Sequence, residues 1–462
     1  MIFGASTAAS AAVLAIFIGG LGAGGLLLGP RADRAPRPLL FYATLETIVA
    51  ISAALTPFIL MAARALYLAS GGATRLGVAA ATVERLILSV VVLAVPTVAM
   101  GGTLPAAARA VTAAGDVRRQ SLAALYALNT LGAVAGCLVA TFFLLEIYGT
   151  RATLWLAAAV NILVAIAARV LDRRSADTAG ARAADVMGAR AFQASDSPER
   201  SAESLALRTS GPAFLLLASG TVGFAFFLME LVWYRLLAPL LGGSVFTFGL
   251  VLAVALVGIG LGGLLYALVS SDRSASLSGF AASCLIEALA VAATFALGDR
   301  IAILALTLIP LGAAGFTASV AGWTLVTTIV ILPPALAAGY QFPLLIALFG
   351  RGRDRVGHDV GLAYAANTMG AIIGSLAGGF GLLPWLSAPG AWRLVAGVLV
   401  LLGLAAGLLD LERTGRDARE VDQARPERNA LRSSRPLRSI VSTLALAAVA
   451  LALLLATGPT AV

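Results

Sequence analysis

Three carboxylates inside apolar runs are the first chemistry in this sequence. Glu46, Glu230 and Glu287 each interrupt a stretch otherwise built from Ala, Leu, Val and Phe. Placing a charged side chain at the centre of a membrane helix costs about 2.5–3.5 kcal/mol on insertion scales, so each acid marks either a substrate or proton contact or a structural pairing near the interface. Trp233 follows Glu230 by one helical turn, and Arg235 lies slightly beyond one turn, so an ion pair between Glu230 and Arg235 requires bent side chains. Asn129 and Asn367 stand one turn after Tyr126 and Tyr364, and Thr130 and Thr368 follow them. Those polar groups are placed either to hydrogen-bond between helices or to meet a solute.

Prolines supply a second kind of candidate. Pro96, Gly101 and Pro105 recur in the same spacing as Pro334, Gly339 and Pro343. Proline inside a helix removes a backbone donor, so the expectation is a broken helix in each half. Met100, Thr103, Tyr340 and Gln341 would line the breaks, with freed carbonyls facing a substrate or ion near the midplane. The competing reading is a Pro-kinked helix end at the membrane interface. His358, the one histidine, sits in a polar loop and cannot by itself anchor a triad or a metal site. With no Gly-x-Ser-x-Gly, no His-Glu-x-x-His and no strand before a Gly-rich turn, the expectation is no catalytic residue, no metal site and no cofactor site. Cys137 and Cys284 lie within apolar runs without ligand spacing and read as small packing residues.

Such residues have to be positioned by membrane helices. Of 462 residues, 60% are hydrophobic and 12% charged, against roughly 25% charged in a soluble domain. With a mean hydropathy of +0.96, the chain reads as an all-α polytopic membrane protein in contact with the lipid bilayer. The formal charge of +9 comes wholly from arginine, since lysine is absent. Arginines gather in short inter-helix segments, such as Arg31, Arg34 and Arg37, as the positive-inside rule requires of a multi-pass protein of a bacterial inner membrane. Nucleic acid is therefore not an expected partner. The first apolar run lacks a basic n-region and a small-residue cleavage site, so it reads as a retained helix.

Apolar stretches predict spans at 6–29, 39–61, 78–100, 121–146, 150–171, 213–239, 245–269, 277–297, 301–318, 321–348, 360–384, 390–411 and 437–457, about 12–13 crossings in all. Residues 172–212 and 412–436 are polar and lack apolar periodicity, as solvated linkers do. An internal repeat organises the rest. Tyr126-Ala-Leu-Asn129-Thr130-Leu-Gly132-Ala133 recurs 238 residues later as Tyr364-Ala-Ala-Asn367-Thr368-Met-Gly370-Ala371. The same offset carries Gly20, Gly22, Gly24 and Gly25 onto Gly258, Gly260, Gly262 and Gly263, and it carries the first proline set onto the second. Glycines so spaced let membrane helices approach closely. Two pseudo-symmetric lobes follow, 1–171 and 213–411, with 437–457 as an additional membrane helix. By this offset, the helix at 213–239 has no first-lobe partner, so the first lobe is expected either to be naturally short or to start upstream. Parallel lobes need six crossings each. Inverted lobes need 301–318 to be a full crossing with a partner near 59–70.

Gly29-Pro-Arg31-Ala-Asp33-Arg34-Ala-Pro-Arg37 resembles the Gly-x-x-x-Asp-Arg-x-x-Arg loop of major facilitator transporters. The resemblance makes Asp33, Arg34 and Arg37 a cytoplasmic gating loop; a turn with positive-inside arginines accounts for the same residues. The second lobe retains Asp272 and Arg273 there. Glu230-x-x-Trp233-x-Arg235, Gly242-Gly-Ser244, Gly258-x-Gly-x-Gly262 and the Tyr364 segment together resemble the membrane region of fused major-facilitator/spermidine-synthase proteins, over about residues 1–411. In that family the membrane region is often followed by a soluble aminopropyltransferase-like domain that uses decarboxylated S-adenosylmethionine and a polyamine. This sequence departs from it, with no Gly-rich cofactor loop and no paired catalytic aspartates. The resemblance implies a transporter-like membrane region for a small, cationic, polyamine-like solute. The alternatives are an anchor or partner for an aminopropyltransferase, and a truncated relic.

Overall fold

A computed structural model of the protein describes residues 7–112, 120–189, 212–243, 245–269, 275–349, 356–424 and 444–453. The first lobe holds α1 (Thr7–Arg34), α2 (Pro38–Ala69), α3 (Gly72–Val111), α4 (Gln120–Val139), a π-helical turn (Ala140–Leu144) leading into α5 (Leu145–Ile147), and α6 (Gly149–Ala189). The second holds α7 (Pro212–Leu237), α8 (Val245–Val269), α9 (Leu277–Ala296), α10 (Gly298–Leu308) with a 3-10 turn (Ile309–Ala314), α11 (Phe316–Phe349), α12 (Val356–Ala377) with a π-helical turn (Gly378–Leu382), and α13 (Leu383–Ala424). A final helix, α14 (Leu444–Leu453), joins the second-lobe core through Ala447 and Ala450. Among the described residues ten apolar stretches are long enough to cross a membrane, and the longest, Val356–Gly415, contains α12 and most of α13.

Local chemistry sets the helix ends. Pro38 opens α2, where its missing N–H costs nothing. The Ser276 hydroxyl accepts the Gly279 N–H at 3.1 Å and starts α9. Positive-φ positions then repeat with the sequence. Gly77 (φ +77°) has its mate in Gly315 (φ +111°), and Gly149 (φ +71°) has its mate in Ser387 (φ +61°), both at the 238-residue offset. The two π-helical turns obey the same offset.

Within each lobe one crossing dominates, and it depends on glycine. A Cβ on Gly24 would overlap the Val98 carbonyl, and one on Gly101 would overlap the Leu21 carbonyl, so α1 and α3 touch backbone to backbone. Their repeat mates do the same between α8 and α11, with Gly262 against the Leu336 carbonyl and Gly339 against the Ile259 carbonyl. Between lobes, α1 packs on α12 and α8 packs on α4. The C-terminal end of α1 meets the N-terminal end of α12, and Gly263 near the C-terminal end of α8 meets Tyr126 near the N-terminal end of α4. Tyr126 and Tyr364 both contact Phe342, so all these ends share one side of the membrane. The lobes are therefore parallel, related by an axis along the membrane normal, as in the halves of the major facilitator arrangement.

Three expectations need correction. The span at 301–318 is not a crossing: α10 is 11 residues long and ends in a 3-10 turn, too short for a bilayer core that needs roughly 20 helical residues. Pro96 and Pro105 do not break α3, nor do Pro334 and Pro343 break α11; in α3 the one non-helical residue is Gly77. Each proline forfeits a single donor, and the packed neighbours on α1 and α8 hold the ladder in line on both sides of it. Finally, α6 continues to Ala189 and α13 to Ala424, so both polar stretches begin as helix; residues 190–211 and 425–443 lie outside the described residues.

Candidate functional site

The gating-loop residues sit where the two lobes meet. Asp33, in the last turn of α1, reaches across to α12 and accepts the Gly357 N–H at 2.8 Å and the His358 N–H at 2.7 Å, one on each carboxylate oxygen. These are the otherwise unpaired N–H groups at a helix start, and the positive end of the helix dipole faces the carboxylate. Arg109, near the end of α3, stands 3.9 Å from the same carboxylate. The approach is close because Gly29 and Gly357 face each other backbone to backbone, as do Gly25 and Gly361 one turn deeper. Arg37, at the start of α2, forms an ion pair with Asp172 of α6, which ties the loop to its own lobe. Arg34 is exposed. Asp272 and Arg273 lie outside the described residues.

Just inside this clasp, the repeat tyrosines converge. Tyr126 lies 5.0 Å from the Phe342 ring and Tyr364 lies 6.3 Å from it, centroid to centroid. Ala108, Leu122, Ile346, Val356, Val360 and Ala363 complete an apolar plug drawn from α3, α4, α11 and α12. Phe342 touches both repeat tyrosines, and its repeat mate is the smaller Leu104. This end of the inter-lobe seam is closed by a carboxylate clasp over an aromatic plug.

The acids are spread through the helices. Glu287 on α9 is 3% exposed and accepts the Gln341 amide N–H at 2.6 Å, joining α9 to α11 inside the second lobe. Glu46 on α2 is half-buried and hydrogen-bonded to Tyr42. Glu230 on α7 forms no ion pair with Arg235, whose side chain is exposed; the bend that such a pair demands is not taken up. Trp233, 1% exposed, packs edge-on to Phe226 instead. Among the described residues no three acidic, histidine or cysteine groups gather, so the acids do not form one cluster. Thr130 bonds back to the Tyr126 carbonyl within α4, Thr368 packs on Gly22 of α1, and Asn367 packs on Gly223 of α7. Asn129 is exposed.

Sequence reasoning missed Arg109, Asp172, Phe342 and the His358 backbone. For Asp172 the signal was present, as an acid at the end of an apolar run. The backbone donors of Gly357 and His358 carry no side-chain signal.

No family profile matches the chain and no curated protein matches it. Among solved structures it is similar to the crystal structure of a bacterial homologue of the iron transporter ferroportin in the outward-facing state, at 16% identity and a TM-score of 0.50, covering 90% of this chain and 92% of that one. It also matches the crystal structure of the human organic anion transporter MFSD10 (TETRAN), at 13% identity and a TM-score of 0.39, covering 86% of this chain and 98% of the other. The likeness to fused spermidine-synthase proteins finds no support in these comparisons. Among the described residues the chain is an all-α, multi-pass membrane protein with two pseudo-symmetric lobes, and it shares its overall fold with that bacterial ferroportin homologue.

Proposed function

We propose that the protein moves a small solute across a bacterial inner membrane by rocking its two lobes, 1–171 and 213–411, about the α1/α12 and α4/α8 seams. The Asp33 clasp carries this reading. A carboxylate that satisfies the start of a helix in the other lobe is a contact formed with the lobes together and lost when they part. The aromatic plug beneath it supports the same reading, since it closes one end of the seam. Buried Glu287 and half-buried Glu230, with Glu46 in the first lobe, supply the negative charge that a cationic, polyamine-like solute or a coupled proton requires.

The test is uptake of radiolabelled spermidine and putrescine into proteoliposomes holding the purified protein. Saturable uptake is expected, falling at least tenfold in Asp33→Ala and in Glu287→Gln. Uptake unchanged in both variants, or no saturable uptake, would refute the reading.

A further inference from the structure

The contact between Glu287 and Gln341 is complete only when it holds a proton. Both side chains are sealed inside the second lobe, at 3% and 0% exposed. The Gln341 amide N–H reaches Glu287 Oε2 at 2.6 Å, while Gln341 Oε1, buried with it, has no donor among the described residues. An ionised carboxylate would have one hydrogen bond and would leave that carbonyl oxygen unsatisfied, since a carboxylate only accepts. A neutral carboxyl removes both faults. Its O–H donates to Gln341 Oε1 as the amide N–H donates to Oε2, and the two planar groups close a ring of two hydrogen bonds.

Among the described residues no cation pairs with Glu287. Its helix packs on α10, α11 and α13. On α9 itself Cys284 lies one turn earlier, buried and free. On α11, Tyr340 turns its ring to Tyr266, 5.2 Å away; on α13, Arg393 lies over the Phe295 ring, two turns further along α9. Asp299 and Arg300 open α10, beyond the end of α9. Gln341 is also the chain neighbour of Phe342, which touches Tyr126 across the seam. One turn of α11 therefore joins the acid to the plug. The repeat mates of Glu287 and Gln341 are Val49 and Thr103, so the pair stands in the second lobe alone.

We propose that Glu287 is the site of a coupled proton, held while the seam is closed by this acid–amide ring, with Gln341 as its positioning residue. The inference rests on the rocking of the lobes proposed above. When the seam parts, Phe342 leaves Tyr126, the turn of α11 that carries Gln341 shifts, and the ring opens. The Glu287 O–H bond then breaks, its proton passes to water, and a carboxylate remains.

Infrared absorption of the purified full chain in phospholipid bilayers reads this proton directly and needs no solute. At neutral pH the difference between the parent and Glu287→Gln, which keeps an amide–amide ring, is expected to show the C=O stretch of a protonated carboxyl, moving in D2O. Gln341→Leu is the second variant: the same band stays and moves to higher frequency as its N–H donor is lost. In Asp33→Ala, whose clasp lies at the seam and away from α9, the pH at which the band disappears is expected to fall by about one unit, a tenfold weaker hold on the proton. A pair that served structure alone would not respond to Asp33. Three results overturn the proposal: only carboxylate bands in the Glu287 difference at neutral pH, a band unmoved in Gln341→Leu, or a band whose pH dependence is unchanged in Asp33→Ala. Because none of these readings uses spermidine or putrescine, only carboxylate bands beside saturable uptake would overturn this inference and leave the transport reading standing.

Discussion

Replacing Asp33 tests the clasp most directly. Its carboxylate accepts two N–H donors, at 2.8 and 2.7 Å, from the first turn of α12 in the opposite lobe. Hydrogen bonds to a charged group contribute about 1.5–3 kcal/mol each. Asp33→Asn keeps one acceptor and loses the charge, so the closed seam is weakened by about one such bond, roughly a 10- to 150-fold shift toward separation at this end. Asp33→Ala loses both bonds and shifts it further; Asp33→Glu, one methylene longer, cannot seat both oxygens at once but keeps the charge, and falls between the parent and Asp33→Asn. The assay places a single reporter in the plug. Ala363, 0% exposed, becomes Cys in a background with Cys137→Ser and Cys284→Ala, and a membrane-impermeant maleimide is applied from the side of the α1–α2 loop. In the parent the reporter labels slowly because Phe342, Val360 and Tyr364 cover it. The labelling rate should rise in the order Asp33→Glu, Asp33→Asn, Asp33→Ala. Rates within twofold of the parent for all three would show that Asp33 holds no closed state.

Three further outcomes follow from the geometry. Ser387 holds a positive φ that its repeat mate Gly149 holds without a Cβ, so Ser387→Gly should raise the midpoint of thermal unfolding and Gly149→Ser lower it, each reflecting about 1–2 kcal/mol, read by size-exclusion after heating. Gln341→Leu strands the buried Glu287 carboxyl and should cost about 1–3 kcal/mol, while Glu287→Leu/Gln341→Leu regains most of the loss; a double variant no better than the single one would refute the pairing. Gly101→Val drives a side chain into the Leu21 carbonyl and should abolish accumulation in membranes, as Gly339→Val should in the other lobe, measured by immunoblot of membrane fractions.

Much of this architecture was legible because the sequence carries it twice. Tyr126 and Tyr364 fixed the offset, and the glycines at 20–25 and 258–263 announced close crossings that the fold then uses. Proline misled, since Pro96 and Pro105 mark a lost donor without revealing that α1 lies alongside to hold the helix straight. Hydropathy misled at 301–318, where an apolar run ends a helix at Leu308, because apolar content does not report where the backbone stops being helical. The clasp was half visible: Asp33 stood in a recognisable loop, but its partners are backbone groups 324 and 325 residues away. Orientation of the lobes was not legible at all, because spans that fit either arrangement are told apart only by which helix ends touch.

The π-helical turns have a consequence of their own. One spans Ala-Thr-Phe-Phe-Leu at 140–144 and the other Gly-Gly-Phe-Gly-Leu at 378–382, with only the phenylalanine and the final leucine in common. A π turn holds one residue more than the α ladder accommodates, so it widens the helix locally. The same widening stands at the same register in both lobes although only two of its five side chains agree, so what the two lobes share there is a shape of the backbone rather than a set of residues.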